Sequence, residues 1–98
     1  MTDDTGDEIV EVPIENALDL HPFAPRDVIA VVEDYLAAAR EKGFREVRLV
    51  HGRGIGAQRA AIHRLLRSLP DVEFWDAPES HLGATIVRFR QSDEIAGT

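Results

Sequence analysis

Between residues 46 and 69 the sequence changes its repeat once. EVRLV alternates with the period of a strand, and Ile62, Leu65, Leu66 and Leu69 recur with the period of a helix, closed by Pro70. The six residues between strand and helix repeat, HGRGIG, carry Gly52, Gly54 and Gly56, which permit positive φ and close backbone approach. A strand, a glycine turn and a helix in that order are one βα unit of an α/β fold.

The rest of the chain extends the pattern. ALDLH, residues 17–21, reads as a strand with one buried face. Pro25 opens a helix carried by Val28, Val31, Val32, Tyr35, Leu36 and Ala39, and Gly43 stops it. VEFWDA, residues 72–77, and ATIVRFR, residues 84–90, supply two more strands, joined by a loop holding Pro78 and Gly83. The predicted order is β-α-β-α-β-β, a two-layer α/β sandwich with a mixed four-stranded sheet and both helices on one face. Residues 1–16 form an acidic, partly disordered lead in which Val10, Val12 and Ile14 are a candidate edge strand. Residues 17–90 form the domain, and residues 91–98 a frayed tail.

If the helices cover one face of the sheet, alternation decides what the other face carries. Leu18 and Leu20 inward put Asp19 and His21 outward; Val87 and Phe89 inward put Arg88 and Arg90 outward; Val47 and Leu49 inward do the same for Arg48. An acid, an imidazole and three guanidiniums would then share the uncovered face.

Charge has to be read locally. The net charge is −7, yet residues 1–16 hold six acids and no base, while residues 40–67 hold eight bases against Glu41 and Glu46. With no cysteine, disulfides and thiolate chemistry are excluded. No apolar run is long enough to span a membrane, and the acidic N-terminus does not read as a secretory signal, so the expected location is cytoplasmic.

Four features can carry chemistry. The glycine turn offers backbone N–H groups and a helix N-terminus to an anion, with Gly52, Gly54, Gly56 and Arg53 as phosphate contacts. It lacks a Gly-Lys-Ser/Thr run, and Arg59 stands where a dinucleotide fingerprint wants a third glycine, so a polymer backbone phosphate suits it better than a free nucleotide. Asp19 and His21, two apart on a strand, pair a carboxylate with an imidazole suited to proton transfer. His51 ends the next strand; if the two strands are parallel neighbours it meets His21 at their carboxyl ends, where two imidazoles could serve as base and acid. Asp19, His21 and His51 could also hold a divalent metal, although no signature spacing demands one. Finally, Arg59, His63 and Arg67 line one flank of the second helix, in a stretch without acids from Gly54 to Pro70, and with Arg48, Arg88 and Arg90 could track a nucleic-acid backbone. His81 and Trp75 read as structural, a loop histidine and a partly buried aromatic.

LDLH before a helix, VRLVHGRG opening a second helix and GATIVRF near the end together resemble the Smr (small MutS-related) domain over about residues 17–90. The resemblance implies the same two-layer fold, like the C-terminal domain of a bacterial translation initiation factor. It also implies nucleic-acid binding, with endonuclease activity on DNA or RNA in several members. The family's motif positions fall on Asp19, His21, His51, Gly52 and Gly54, with Arg53 between the last two. One departure stands out: Pro22 occupies the position after the motif histidine where members commonly have glycine, removing an N–H and pressing His21 toward extended backbone.

The leading expectation is therefore an endonuclease cutting phosphodiesters, RNA favoured over DNA, with Asp19, His21, His51 and Arg53 catalytic and no cofactor required. The alternatives are a binding module without turnover and a protein-interaction domain whose acidic lead covers its basic face. Nucleic acid is the expected partner, with a repair or ribosome-associated assembly as the wider setting and no membrane.

Overall fold

The computed structural model describes residues 14–52 and 56–90. Four strands and two helices follow in the predicted order: β1 (Ala17–Asp19), α1 (Val28–Glu41), β2 (Glu46–Val50), α2 (Ala57–Arg67), β3 (Val72–Asp76) and β4 (Ala84–Phe89). The candidate edge strand at Val10–Ile14, the frayed tail, and Arg53 and Gly54 of the glycine turn lie wholly or mainly outside the described residues.

α1 is entered through a single 3-10 turn, Pro25–Asp27, rather than directly at Pro25. Its end is a complete left-handed stop. Gly43 has φ +86°, its N–H donates to the Arg40 carbonyl, and Phe44 N–H reaches back to the Ala39 carbonyl, satisfying carbonyls the helix leaves open. Arg40 then fixes this corner, lying 4.7 Å over the Phe89 ring and pairing with Asp71 at 2.8 Å. α2 starts at Gly56, φ +79°, with no side chain capping its first amides.

The sheet order is β1-β2-β4-β3. β1 and β2 are parallel, whereas β4 runs antiparallel to both β2 and β3. The crossovers from β1 to β2 and from β2 to β3 step the same way across the sheet, which places both helices on one face. The core lies there: Val28, Val32, Leu36 and Ala39 of α1 and Ile62 and Leu66 of α2 pack on Leu20, Val47, Leu49, Val72, Val87 and Phe89. Each Val, Leu, Ile or Phe side chain among them contributes about 1.5–3 kcal/mol by leaving water. No helix among the described residues is long and apolar enough to cross a membrane.

The opposite face has no layer over it among the described residues. Cross-strand pairing puts Arg48, Ile86 and Trp75 in one row there, and Glu46, Arg88 and Glu73 in the next. Val50, Ala77, Ala84 and Ile86 form a small apolar cluster between that face and the β3–β4 loop.

Candidate nucleic-acid site at the carboxyl ends of two parallel strands

The register Asp19↔Val50 sets His21 beside Gly52 just beyond the last strand pair, and Leu20 N–H continues the ladder to the Val50 carbonyl at 2.9 Å. Leu20 is fully buried, so the residues on either side of it must point the other way. Asp19 and His21 accordingly stand on the uncovered face, as alternation predicts.

One oxygen of Asp19 orders the turn. Asp19 Oδ1 accepts the His21 backbone N–H at 2.9 Å and meets the His21 ring at Nδ1, 2.6 Å away. The backbone bond, followed by the ring bond, holds the Asp19 carboxyl below its ordinary value. A carboxylate accepts only, so Nδ1 carries the proton and the neutral ring's lone pair sits on Nε2. The turn closes through Phe23 N–H to the Leu20 carbonyl at 3.1 Å; an N–H at position 22 is not used, and Pro22 fits.

Gly52 is the surface against which Nε2 rests. A Cβ added at Gly52 would lie 2.8 Å from His21 Nε2, and the residue has φ +83°. The two sequence motifs therefore touch through an atom that is missing from one of them. Around this contact is an open cleft of about 380 Å³ lined by His21, Arg48, Val50, Gly52, Ser80, Gly83 and Ala84. Its floor is held by the β3–β4 loop, since the Gly83 carbonyl accepts from both His51 N–H at 3.0 Å and Gly52 N–H at 2.8 Å. That loop keeps Glu79, His81 and Leu82 at positive φ, 67°, 55° and 68°, a concentration of backbone strain beside the cleft.

Several expected site residues lie elsewhere. His51 does not join His21. It continues the inward parity of Val47 and Leu49, so its ring goes under α2 while His21 faces out, one on each side of the sheet. His51 is 5% exposed, Nδ1 lies 3.0 Å from the Gly52 carbonyl, and Nε2 lies 2.9 Å from Thr85 Oγ1. The carbonyl can only accept, which fixes a neutral His51 with its proton on Nδ1; Thr85 then donates to Nε2. His63 Nε2, also 2.9 Å from Thr85 Oγ1, must be the donor that completes the hydroxyl. Arg59 is not a free cation of the helix flank either. It grips Asp76 with two bonds of 2.8 and 2.7 Å, an acid that the helix sequence alone does not reveal. Gly52 offers no amide to an anion, because Gly83 has taken it.

The outer face is also less positive than its three arginines suggest. Glu46 stands opposite Arg88, and Arg90 approaches Glu73 at 3.8 Å. Arg48 is the guanidinium that lines the cleft, half-buried against it. Arg64 and Arg67 remain exposed on α2. Trp75, expected to be structural, is 39% exposed on the uncovered face. Its position on β3 opposite to inward-facing Phe74 was the available signal. Among the described residues no three metal-binding side chains converge.

Burial, above all, pushes His51 and His63 below the ordinary imidazole value, with Arg59 adding to the effect at both. The unfolded chain then takes up protons near pH 6.5 that the folded chain refuses. The stability these rings lend is complete above about pH 6.5 and is lost as pH falls toward their depressed folded values. The melting temperature should be level from pH 8 to 7 and decline between pH 6.5 and 5, before the lowered Asp19 and Asp76 carboxyls titrate. A flat profile down to pH 5 would show that the rings are not buried neutral.

The Smr domain family model matches residues 18–90. The chain is 33% identical over 84 residues to endonuclease MutS2 of Listeria welshimeri and 37% identical over 76 residues to that of Enterococcus faecalis. These matches take in 80% and 74% of this chain but 10% of each relative, so it spans about a tenth of their length. The Smr domain of Thermus thermophilus MutS2 superposes with a TM-score of 0.72 at 35% identity, over 79% of this chain and all of that one. YdaL, a stand-alone small MutS-related protein from Escherichia coli, gives 0.71 at 25% identity, over 81% of this chain and 67% of that one. Matched by the family model over residues 18–90 and by the fold of a solved Smr domain, the chain belongs to the Smr domain family.

Proposed function

We propose that the protein is a phosphodiester-cleaving endonuclease that acts on RNA in preference to DNA, with the Asp19–His21 pair as its base. The observation that carries this reading is the His21 ring: Asp19 holds Nδ1 at 2.6 Å, and Nε2 is presented over Gly52 into an open cleft. The MutS2 relatives named as endonucleases support it.

In this mechanism Nε2 accepts the proton of a 2′-hydroxyl, the 2′-oxygen attacks the adjacent phosphorus, and the bond to the 5′-oxygen breaks. Arg48 balances the charge that gathers on the non-bridging oxygens. Arg53, Gly54 and Gly56 are the further phosphate contacts that this reading proposes. His51 acts as a positioning residue, holding the Gly52 carbonyl from beneath. The leaving oxygen faces solvent and takes its proton from water. DNA lacks the 2′-hydroxyl, which is why RNA is favoured.

The test is cleavage of labelled RNA and of supercoiled DNA by the native chain and by Asp19→Asn, each with and without chelator. RNA fragments should end in a 2′,3′-cyclic phosphate, DNA should survive, and Asp19→Asn should be slower by at least about tenfold. Equal rates for both proteins would remove the Asp19–His21 pair from the chemistry. Loss of cleavage on chelation would bring a divalent metal into the site.

A second reading, binding without turnover, is favoured by the same geometry at one point. The sheet separates His51 from His21, so one exposed imidazole serves the cleft among the described residues. It predicts salt-dependent RNA binding with no product in long incubations.

A further inference from the structure

The uncovered face continues past the cleft, and what it offers there is not charge. The row Arg48–Ile86–Trp75 runs from the cleft wall to the far edge strand. Two strand spacings separate Arg48 from Trp75, about 10 Å. Beside that row, Glu46 and Glu73 stand against Arg88, and Glu73 against Arg90, so a polyanion gains little from the far half of the face. Trp75 is a large aromatic left 39% exposed, next to Ile86 at 8%. The inner side of the same strand already has its aromatic: Phe74 faces the helices and packs edge-on against His63, centroids 4.9 Å apart. Trp75 is therefore not needed to fill the core.

We infer that Trp75 is a base-stacking platform for single-stranded nucleic acid, receiving a nucleobase a few nucleotides from the phosphate held in the His21–Gly52 cleft. This deepens the proposed function and rests on its reading of the cleft as a phosphodiester site. The chemistry is matched. A strand entering over Arg48 loses its electrostatic hold where the acids begin, and an indole face supplies sequence-tolerant affinity of the other kind. A duplex, whose bases are already stacked on each other, cannot use the indole, so the platform selects unpaired strands.

Trp75 is the sole tryptophan of the chain, so its fluorescence reports on the platform directly. The experiment titrates the native chain with a short single-stranded RNA, following indole emission and, separately, the anisotropy of an end-labelled copy. Emission should be quenched with the same midpoint as the anisotropy change. Duplex of the same sequence, or the strand carrying abasic sugars, should leave emission unquenched. Trp75→Ala should weaken single-strand binding about tenfold, within a range of roughly five to a hundredfold, and Trp75→Phe should recover most of it. Binding by anisotropy without quenching, and with Trp75→Ala equal to native, would overturn the platform while leaving the proposed nuclease intact. Quenching without any cleavage would do the reverse. Unchanged affinity with a dimer that Trp75→Ala converts to monomer would overturn it too and give the indole to self-association. An absence of binding to any nucleic acid would end both.

Discussion

His21→Ala is expected to slow RNA cleavage by about 10²–10⁴-fold, the span a positioned general base supplies, with little change in folding. Both halves of that expectation come from the same geometry. The imidazole touches the fold through Asp19 and through its van der Waals contact with Gly52, and its side chain is 61% exposed, so removing it opens no cavity. The phosphate contacts proposed for Arg48 and the glycine turn remain, so RNA affinity should stay within about threefold of native. Single-turnover cleavage, equilibrium binding and thermal melting on one preparation separate the three quantities. A variant that cuts as fast as the native chain would remove His21 from the reaction; one that melts many degrees lower would make it a structural residue.

The largest stability effect is expected below the sheet. Thr85→Val should destabilise the protein by about 2 kcal/mol or more, since it keeps the shape and deletes the hydroxyl that two imidazoles share. Thr85 is fully buried, and its Oγ1 lies 2.9 Å from both His51 Nε2 and His63 Nε2. Valine would leave one lone pair and one N–H without partners inside the domain. For a domain of this size the melting temperature should fall by roughly 8–16 °C. Thr85→Ser retains the hydroxyl and loses one methyl, about 0.8 kcal/mol, so it should melt far closer to native. If valine and serine variants melt together, the hydroxyl adds nothing and the shared network is incidental.

The frame was legible because period and punctuation agreed. EVRLV became β2 without a residue's change, Gly43 did stop α1, and the LDLH alternation placed Asp19 and His21 on the open face. What escaped has three physical causes. The parity that turns Arg48 outward also turns His51 inward, but a strand's last residue looks like part of the turn that follows, and the expected meeting with His21 rests on strand adjacency alone. The helix sequence shows Arg59 without an acid, since Asp76 arrives from another element 17 residues later. Trp75 reads as a structural, partly buried aromatic and is 39% exposed; it faces outward because a strand has two sides and its neighbour Phe74 takes the inner one. Contacts made between distant elements leave no local periodicity to read.

The sheet also works as a partition. Proton transfer is proposed above it at His21, while the Thr85 hydroxyl network lies beneath, with a backbone layer between. Random mutagenesis of such a molecule should sort its defective clones into two nearly disjoint groups: well-expressed proteins that do not turn over, and poorly expressed ones whose residual soluble fraction is fully competent. Lineages could then tune thermal tolerance at 63 and 85 without re-optimising the reaction.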